Sequence, residues 1–298
     1  MIRSVVVGVD GSAESRAAAE WAAREAKRRF LPLTLVHVVE PVPEPVALAR
    51  FLGAETQQRW SERGETGVPL VSGRGSMPRE VVEDLKLRHT GLDVSVEQVS
   101  GRPSEVLTQA AKDAALLVLG SRGLSGRGGF LVGSVGQAVV ARTERPVVLV
   151  RATEQAVGGP VVLGLDTDHP DETVLTFAFE AAARRVAPLR VVHAWNLPPY
   201  FAYGLPADPE LNALLGKEEA ASLAEVLHRW KQKYPAVEVM EESRSGSAAV
   251  HLVDASREAS LVVVGRRIRR SPLGAHIGPV THAVLHHATA PVAVVAHD

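Results

Sequence analysis

The chain is written twice, and that duplication limits what it can fold into more than any other feature. SVVVGVDGS (Ser4 to Ser12) returns as PVVLGLDTD (Pro160 to Asp168), and LTLVHVV (Leu33 to Val39) returns as LRVVHAW (Leu189 to Trp195). SGRPSEVL (Ser100 to Leu107) matches SGSAAVHL (Ser245 to Leu252), and ALLVLGSRG (Ala115 to Gly123) matches SLVVVGRRI (Ser260 to Ile268). ERPVVLV (Glu144 to Val150) matches TAPVAVV (Thr289 to Val295). Five blocks in one order mark an internal repeat in which each copy is one structural unit. At 298 residues the chain has room for two domains of about 150 residues, each with its own core. The expected domains are 1–152 and 159–298, joined by a short linker with a GG pair before Pro160. Asp10 and Asp166 stand at an offset of 156, Gly120 and Gly265 at 145, so the first copy is longer between its second and third strands. PVPEPV and VSGRGSMP in that stretch read as loop punctuation around a helical segment.

Within the first copy VVVGV, LTLVHVV, VSVEQV, LLVLG and PVVLV are nearly continuous runs of β-branched and aliphatic residues. Such runs suit strands covered on both faces of a parallel sheet. Residues 12–29, 78–88, 103–113 and 134–143 carry helical spacing, and Pro103 followed by Ser104 and Glu105 fits a helix start. The alternation predicts an α/β chain of two tandem doubly wound domains, each a five-stranded parallel sheet flanked by helices. Right-handed crossovers gather the loops that follow the strands at one edge, where ligands bind in such folds. The final strands PVVLV and PVAVV are expected at sheet edges, where an uncovered strand invites pairing.

The most informative loop follows the fourth strand, LGSRGLSGRGGFLVGSVGQAVV, with Gly120, Gly123 and Gly133 ahead of Ser134. Glycine lets backbone approach a ligand closely, and a helix opening at Gly133-Ser134 turns free N–H groups toward an anion. Arg122 and Arg127 stand close enough in sequence to neutralise charge there. Strand-to-helix loops rich in glycine are also common without a ligand, and Ser134 could serve only as an N-cap. The loop is neither a Walker A sequence nor a GxGxxG after the first strand.

Taken together, G-x2-G-x9-G-S at Gly120, Gly123, Gly133 and Ser134, the opening VVVGVDGS, the strand LVHVV and the segment GRPSEVL resemble the ATP-binding universal stress proteins, over nearly the whole chain and twice. The resemblance implies an adenine nucleotide alpha hydrolase-like fold. It also implies that Asp10 recognises adenine, with the main chain of Val38 and with Gly8 and Val9 in the same pocket. Leu119 and Gly120 would lie against ribose and phosphates, and Gly123, Gly133, Ser134 and Val135 would hold the phosphate chain. The implied cofactor is ATP, accompanied by magnesium. Asp10 could equally serve the helix that follows, since Asp-Gly-Ser suits a helix start.

The second copy departs from the pattern. Asp166, Gly265 and Gly278 stay in register, but Ile268 replaces the second glycine and Pro279 replaces the serine. Pro279 has neither N–H nor hydroxyl, so two donors are lost and the second site is expected to be altered. Arg266, Arg267, Arg269 and Arg270 leave three readings open: compensation, a different anion, or a solvated surface loop. His276, His282, His286 and His287 invite a metal reading, but no carboxylate or cysteine lies among them at a ligand-like spacing, which favours surface or interface histidines.

A net charge of -1 and an aromatic content of 4% argue against nucleic acid and acidic membranes as partners. No run approaches the apolar length of a membrane span, and three valines are too few for a signal-peptide core, so a soluble cytoplasmic protein is expected. With no cysteine there is neither a disulfide nor a thiolate site. No GxSxG, HExxH or kinase signature appears, and no catalytic set or metal site is assigned. The expected function is a nucleotide-dependent stress-response regulator or sensor with an unidentified protein partner. Its rivals are a slow ATPase or phosphotransfer enzyme and a ligand-free interaction module. The resemblance also implies an intramolecular pseudo-dimer of the two copies, and further dimerisation of the tandem is left open.

Overall fold

The computed structural model describes residues 3–40, 79–123, 130–152, 158–196, 209–268 and 277–298. The loop punctuation at PVPEPV and VSGRGSMP lies outside these, as do Arg127, Arg269, Arg270 and His276. The first half runs β1 (Val5–Val9), α1 (Ala13–Arg29), β2 (Leu33–Val39), α2 (Arg79–Arg88) and β3 (Val94–Ser100). It continues with α3 (Pro103–Lys112), β4 (Leu116–Gly123), β5 (Phe130–Leu131), α4 (Ser134–Arg142) and β6 (Val147–Arg151). The second half runs β7 (Val161–Gly164), α5 (Glu172–Arg185), β8 (Leu189–Trp195), α6 (Pro209–Lys233) and β9 (Val239–Ser245). It ends with α7 (Ala248–Ala255), β10 (Leu261–Arg267), α8 (Pro279–His287) and β11 (Val292–His297). No helix among the described residues is long and apolar enough to cross a membrane.

Each half is a five-stranded parallel sheet, in the orders β3-β2-β1-β4-β6 and β9-β8-β7-β10-β11. The two final strands pair with each other, antiparallel, Val147 facing Val294 and Leu149 facing Val292. One continuous sheet results. The short β5 folds back antiparallel on the end of β4. One sequence expectation is corrected: β3 is not covered on both faces. It is the outer strand and mostly exposed, with Glu97 and Gln98 at solvent, as an unpaired edge requires.

Side chains alternate between two cores, one on each face of the sheet. Val5, Val7, Leu35 and Val118 join α1, α2, α5 and α6, while Val6, Leu117, Leu119 and Leu149 join α3, α4, α7 and α8. Both cores run through both halves, so neither half closes its own interior.

Helix α1 shows how the sequence sets the spacing. Ser12 caps its N-terminus, Glu14 sits in the first turn and Lys27, Arg28 and Arg29 in the last, each on the side the helix dipole favours. Its buried face is alanine (Ala18, Ala19, Ala22, Ala23, Ala26), which lets the helix lie close to the sheet. A Cβ built on Gly120 would fall 2.6 Å from the backbone carbonyl carbon of Glu14, so β4 and the start of α1 meet only because that residue is glycine.

Helices α1 and α5 meet over the seam. The Arg29 guanidinium lies 5.3 Å from the Phe177 ring centroid and that of Arg185 lies 5.7 Å from Trp21, a symmetric pair of cation–π contacts. Between them one buried carboxylate breaks the symmetry. Glu25 binds Arg29 at 2.6 Å and Arg185 at 2.7 Å, while its counterpart in the second copy is Ala181. Burial works against the charge of Glu25, but Arg185, Arg29 and Arg28 outweigh it and hold the carboxyl below its ordinary range. Burial also pulls the Arg185 guanidinium below its usual value, against the attraction of Glu25. On the other face two buried arginines cross the seam. Arg151 donates to the Leu285 carbonyl at 2.8 Å in the last turn of α8, and Arg266 to the Thr143 carbonyl at 2.6 Å at the end of α4. Burial pushes the Arg151 pKa down to about 10, which leaves it charged at neutral pH.

Three outcomes follow from this packing. Glu25→Gln leaves Arg185 buried without its carboxylate and costs about 3 kcal/mol in denaturant unfolding at neutral pH. The folded-state pKa of Glu25 lies below its unfolded value, so the wild-type contribution is complete above the ordinary 4.5 and fades as pH falls through the lowered value. Equal stability of the two chains at pH 7 would remove the shared carboxylate from the account. Gly120→Ala forces α1 away from β4 and costs about 1–3 kcal/mol by thermal melt, whereas Gly133→Ala, where a Cβ meets nothing within 4 Å, is tolerated. Finally, α1 and α5 both end on a left-handed non-glycine residue, Phe30 (φ 54) and Val186 (φ 50). Val186→Gly relieves the β-branched case and raises stability by about 1 kcal/mol.

Candidate functional site

From β1 the first half winds outward to β2 and β3, then returns to place β4 on the other side of β1. The loops leaving β1 and β4 diverge at that reversal and open a crevice, the usual ligand position in such a sheet. A cavity of about 440 Å³ lies there. Nine of the ten first-copy residues singled out in the sequence line it: Gly8, Val9, Asp10, Val38, Leu119, Gly120, Gly133, Ser134 and Val135. Gly123 ends β4, paired with Phe130. Ser12, Glu14, Ser15, Val36, Pro103, Leu107 and Gly136 also line the cavity. Of these, Ser12 and the Pro103 to Leu107 segment were visible as repeated motifs without an assigned role.

Chain direction at the Asp10 end is set by short hydrogen bonds. The Asp10 carboxylate accepts from the Ser12 N–H at 3.0 Å and from the Ser12 hydroxyl at 2.6 Å, across Gly11, whose φ of +81° lets the strand turn into the helix. The Ser12 Oγ in turn accepts from the Ser15 N–H at 3.1 Å. Capping of α1 therefore belongs to Ser12, and Asp10 is exposed on the cavity wall beside it.

At the other end stands α4. Its N-cap is Gly133, no side chain among the described residues caps it, and Ser134 is already helical rather than the cap. The first intrahelical bond runs from the Gln137 N–H to the Gly133 carbonyl at 3.0 Å. The N–H groups of Ser134, Val135 and Gly136 have no partner within the helix, and all three residues face the cavity. The space a Cβ would take at Gly133 is open. Val36, Val38, Leu107 and Leu119 add apolar wall to the cavity that the carboxylate and the helix terminus share. This arrangement can enclose a flat apolar body that offers a donor at one end and an anion at the other.

The second copy builds this place differently. Asp166 likewise accepts from the residue two on, the Asp168 N–H at 3.1 Å, but across Thr167, which is not left-handed as Gly11 is, and His169 approaches it at 3.6 Å. Helix α5 is capped by Asp171, which accepts from Thr173 and Val174. A Cβ on Gly265 would meet the His297 ring at 2.9 Å and Val174 at 3.4 Å, so side chains stand where Gly120 meets the start of α1. The Ile268 N–H is committed to the His297 carbonyl at 2.6 Å. Gly278 is again the N-cap with open space around it, but Pro279 follows at the first helical position and supplies no N–H. Two readings of the arginine run are corrected for Arg266: it is neither a surface residue nor free for an anion, being buried at the seam and bound to Thr143. On α8 the rings of His282 and His286 stand 4.4 Å apart, and Gln137 of the first half lies 3.2 Å from His286.

Comparison with known proteins agrees with this architecture. The model of the universal stress protein family matches residues 1–151 and again 159–296. A universal stress protein of Mycobacterium tuberculosis is 35% identical over 97% of this chain and 96% of its own length. The crystal structure of a universal stress protein from Archaeoglobus fulgidus covers 99% of this chain and 98% of its own with a TM-score of 0.66 at 17% identity. A universal stress protein solved in complex with cAMP spans 51% of this chain at 25% identity, with a TM-score of 0.34. With the family matched once in each copy, the chain belongs to the universal stress protein family as a tandem of two such domains.

Proposed function

We propose that the first-half cavity binds an adenine nucleotide, ATP with magnesium, and that the protein acts as a nucleotide-dependent regulator. The observation that carries this reading is the open N-terminus of α4, whose first-turn residues line the same cavity as Asp10. Unpaired N–H groups and the positive end of the helix dipole suit a phosphate chain. A carboxylate accepts from the exocyclic amine of adenine, and the apolar wall covers its ring. Asp10 and Glu14 are the carboxylates among the described lining residues and form no cage. Magnesium would therefore be held by phosphate oxygens and water.

Binding rather than turnover is favoured because Asp10, one of the two carboxylates of the described lining, is already engaged with Ser12. Such a ligand acts by shifting a conformational or partner equilibrium, here with a protein partner in the cytoplasm. We read 1–152 as the domain with the intact motif and 159–298 as the one with the altered motif, paired within one chain.

Calorimetry with ATP and magnesium tests the assignment. Asp10→Ala, and separately Gly133→Glu, weaken binding by well over tenfold, more than about 1.4 kcal/mol each. Gly278→Glu leaves it as in the wild type. A Cβ at 133 meets nothing within 4 Å, and a thermal melt equal to that of the wild type shows that the loss reports on the ligand rather than on the fold. Unchanged affinity in both first-half variants removes the site. Hydrolysis of labelled ATP that disappears in Gly123→Trp would move the reading to a slow ATPase.

A further inference from the structure

Each copy carries a buried histidine at the same place in its second strand, His37 and His193. The His37 Nδ1 lies 2.9 Å from the Val9 carbonyl, and the His193 Nδ1 lies 3.2 Å from the Leu165 carbonyl. A carbonyl only accepts, so Nδ1 carries the hydrogen in both rings. These carbonyls belong to the peptides that enter Asp10 and Asp166.

The other ring nitrogen separates the copies. In the second half the His193 Nε2 lies 3.0 Å from a Glu219 carboxylate oxygen and 3.3 Å from the Thr167 hydroxyl. In the first half Gly11 stands where Thr167 does, and the buried His37 Nε2 has no hydrogen-bond partner among the described residues. Among the described residues the polar contact of the imidazole at 37 is the one through Nδ1, and that contact ends on the peptide leading into Asp10.

Resting on the nucleotide reading above, we infer that His37 is the positioning residue for base selection. Its Nδ1–H holds the Val9 carbonyl and orients the Val9–Asp10 peptide before the chain turns at Gly11. The Ser12 N–H and hydroxyl hold the Asp10 carboxylate from the other side. Asp10 is thus clamped between β2 and the start of α1, aimed at the base edge rather than free to follow the ligand. The ligand class this serves is a purine nucleotide whose base presents an exocyclic amine to a carboxylate.

The test uses the full chain and calorimetry with ATP and with ITP, whose base lacks that amine. His37→Phe lowers ATP affinity roughly fivefold, the scale of one lost hydrogen bond, and brings the ATP-to-ITP ratio toward one. His37→Asn, which returns an N–H near the position of Nδ1, restores both affinity and ratio. His193→Phe removes the equivalent contact in the second copy and changes neither. If His37→Phe binds with wild-type affinity and ratio, or if His37→Asn loses as much as the phenylalanine variant, the inference is wrong while the site stands. A wild-type chain that binds no adenine nucleotide overturns both.

Discussion

The antiparallel pairing of β6 with β11 is the contact on which the rest of the molecule depends. Without it each half would end on an apolar strand with its hydrogen-bonding edge exposed, and each core would lie open where α1 meets α5 and α4 meets α8. With it, two duplicated halves become one sheet whose two cores are continuous. Three separate interactions then lock the register of that seam: the Glu25 network on one face, and Arg151 and Arg266 on the other. None of them is a copy of another. Duplication supplied matching surfaces, and later substitutions filled them unequally.

The same inequality governs the two crevices. Both halves reach the strand reversal with an aspartate, a glycine on the fourth strand and a glycine N-cap. In the first half the start of α1 lies against Gly120 as bare backbone and α4 begins with free N–H groups. In the second half His297 and Val174 stand at the equivalent glycine, and Pro279 removes one of the donors. A crevice that keeps its aspartate but gives up one N–H donor at its helix terminus keeps its fold while offering less to an anion. Scaffold and ligand site separate cleanly here because the strands depend on apolar runs, whereas the site depends on a few residues at their ends.

That separation also decides what could be read in advance. Runs such as VVVGV and LLVLG specify covered strands because nothing but a packed sheet can bury them, and α1 and α3 announce themselves through Ser12 and Pro103. VSVEQV misled, because apolar alternation does not reveal that the strand is outermost. The two-residue β5 is too short to carry a pattern. Arg266 was illegible for a different reason. RRIRR reads as solvated charge, and only the fold brings the carbonyl of Thr143 close enough to justify burying one of its members. The Ser12 and Ser15 wall was equally hidden, since their hydroxyls look like helix-capping groups and are so engaged.

Helix α4 joins these threads. Its C-terminal carbonyl at Thr143 receives the Arg266 guanidinium from the other half, so the negative end of its dipole is neutralised by a buried cation. Its N-terminal end has no cap and opens on the cavity. A helix compensated at one end only retains unscreened positive potential at the other, and in a partly enclosed cavity that potential is weakened less than it would be in water. The seam arginine therefore does more than hold two halves together. By holding the far end of α4 it helps to keep the near end at the cavity wall.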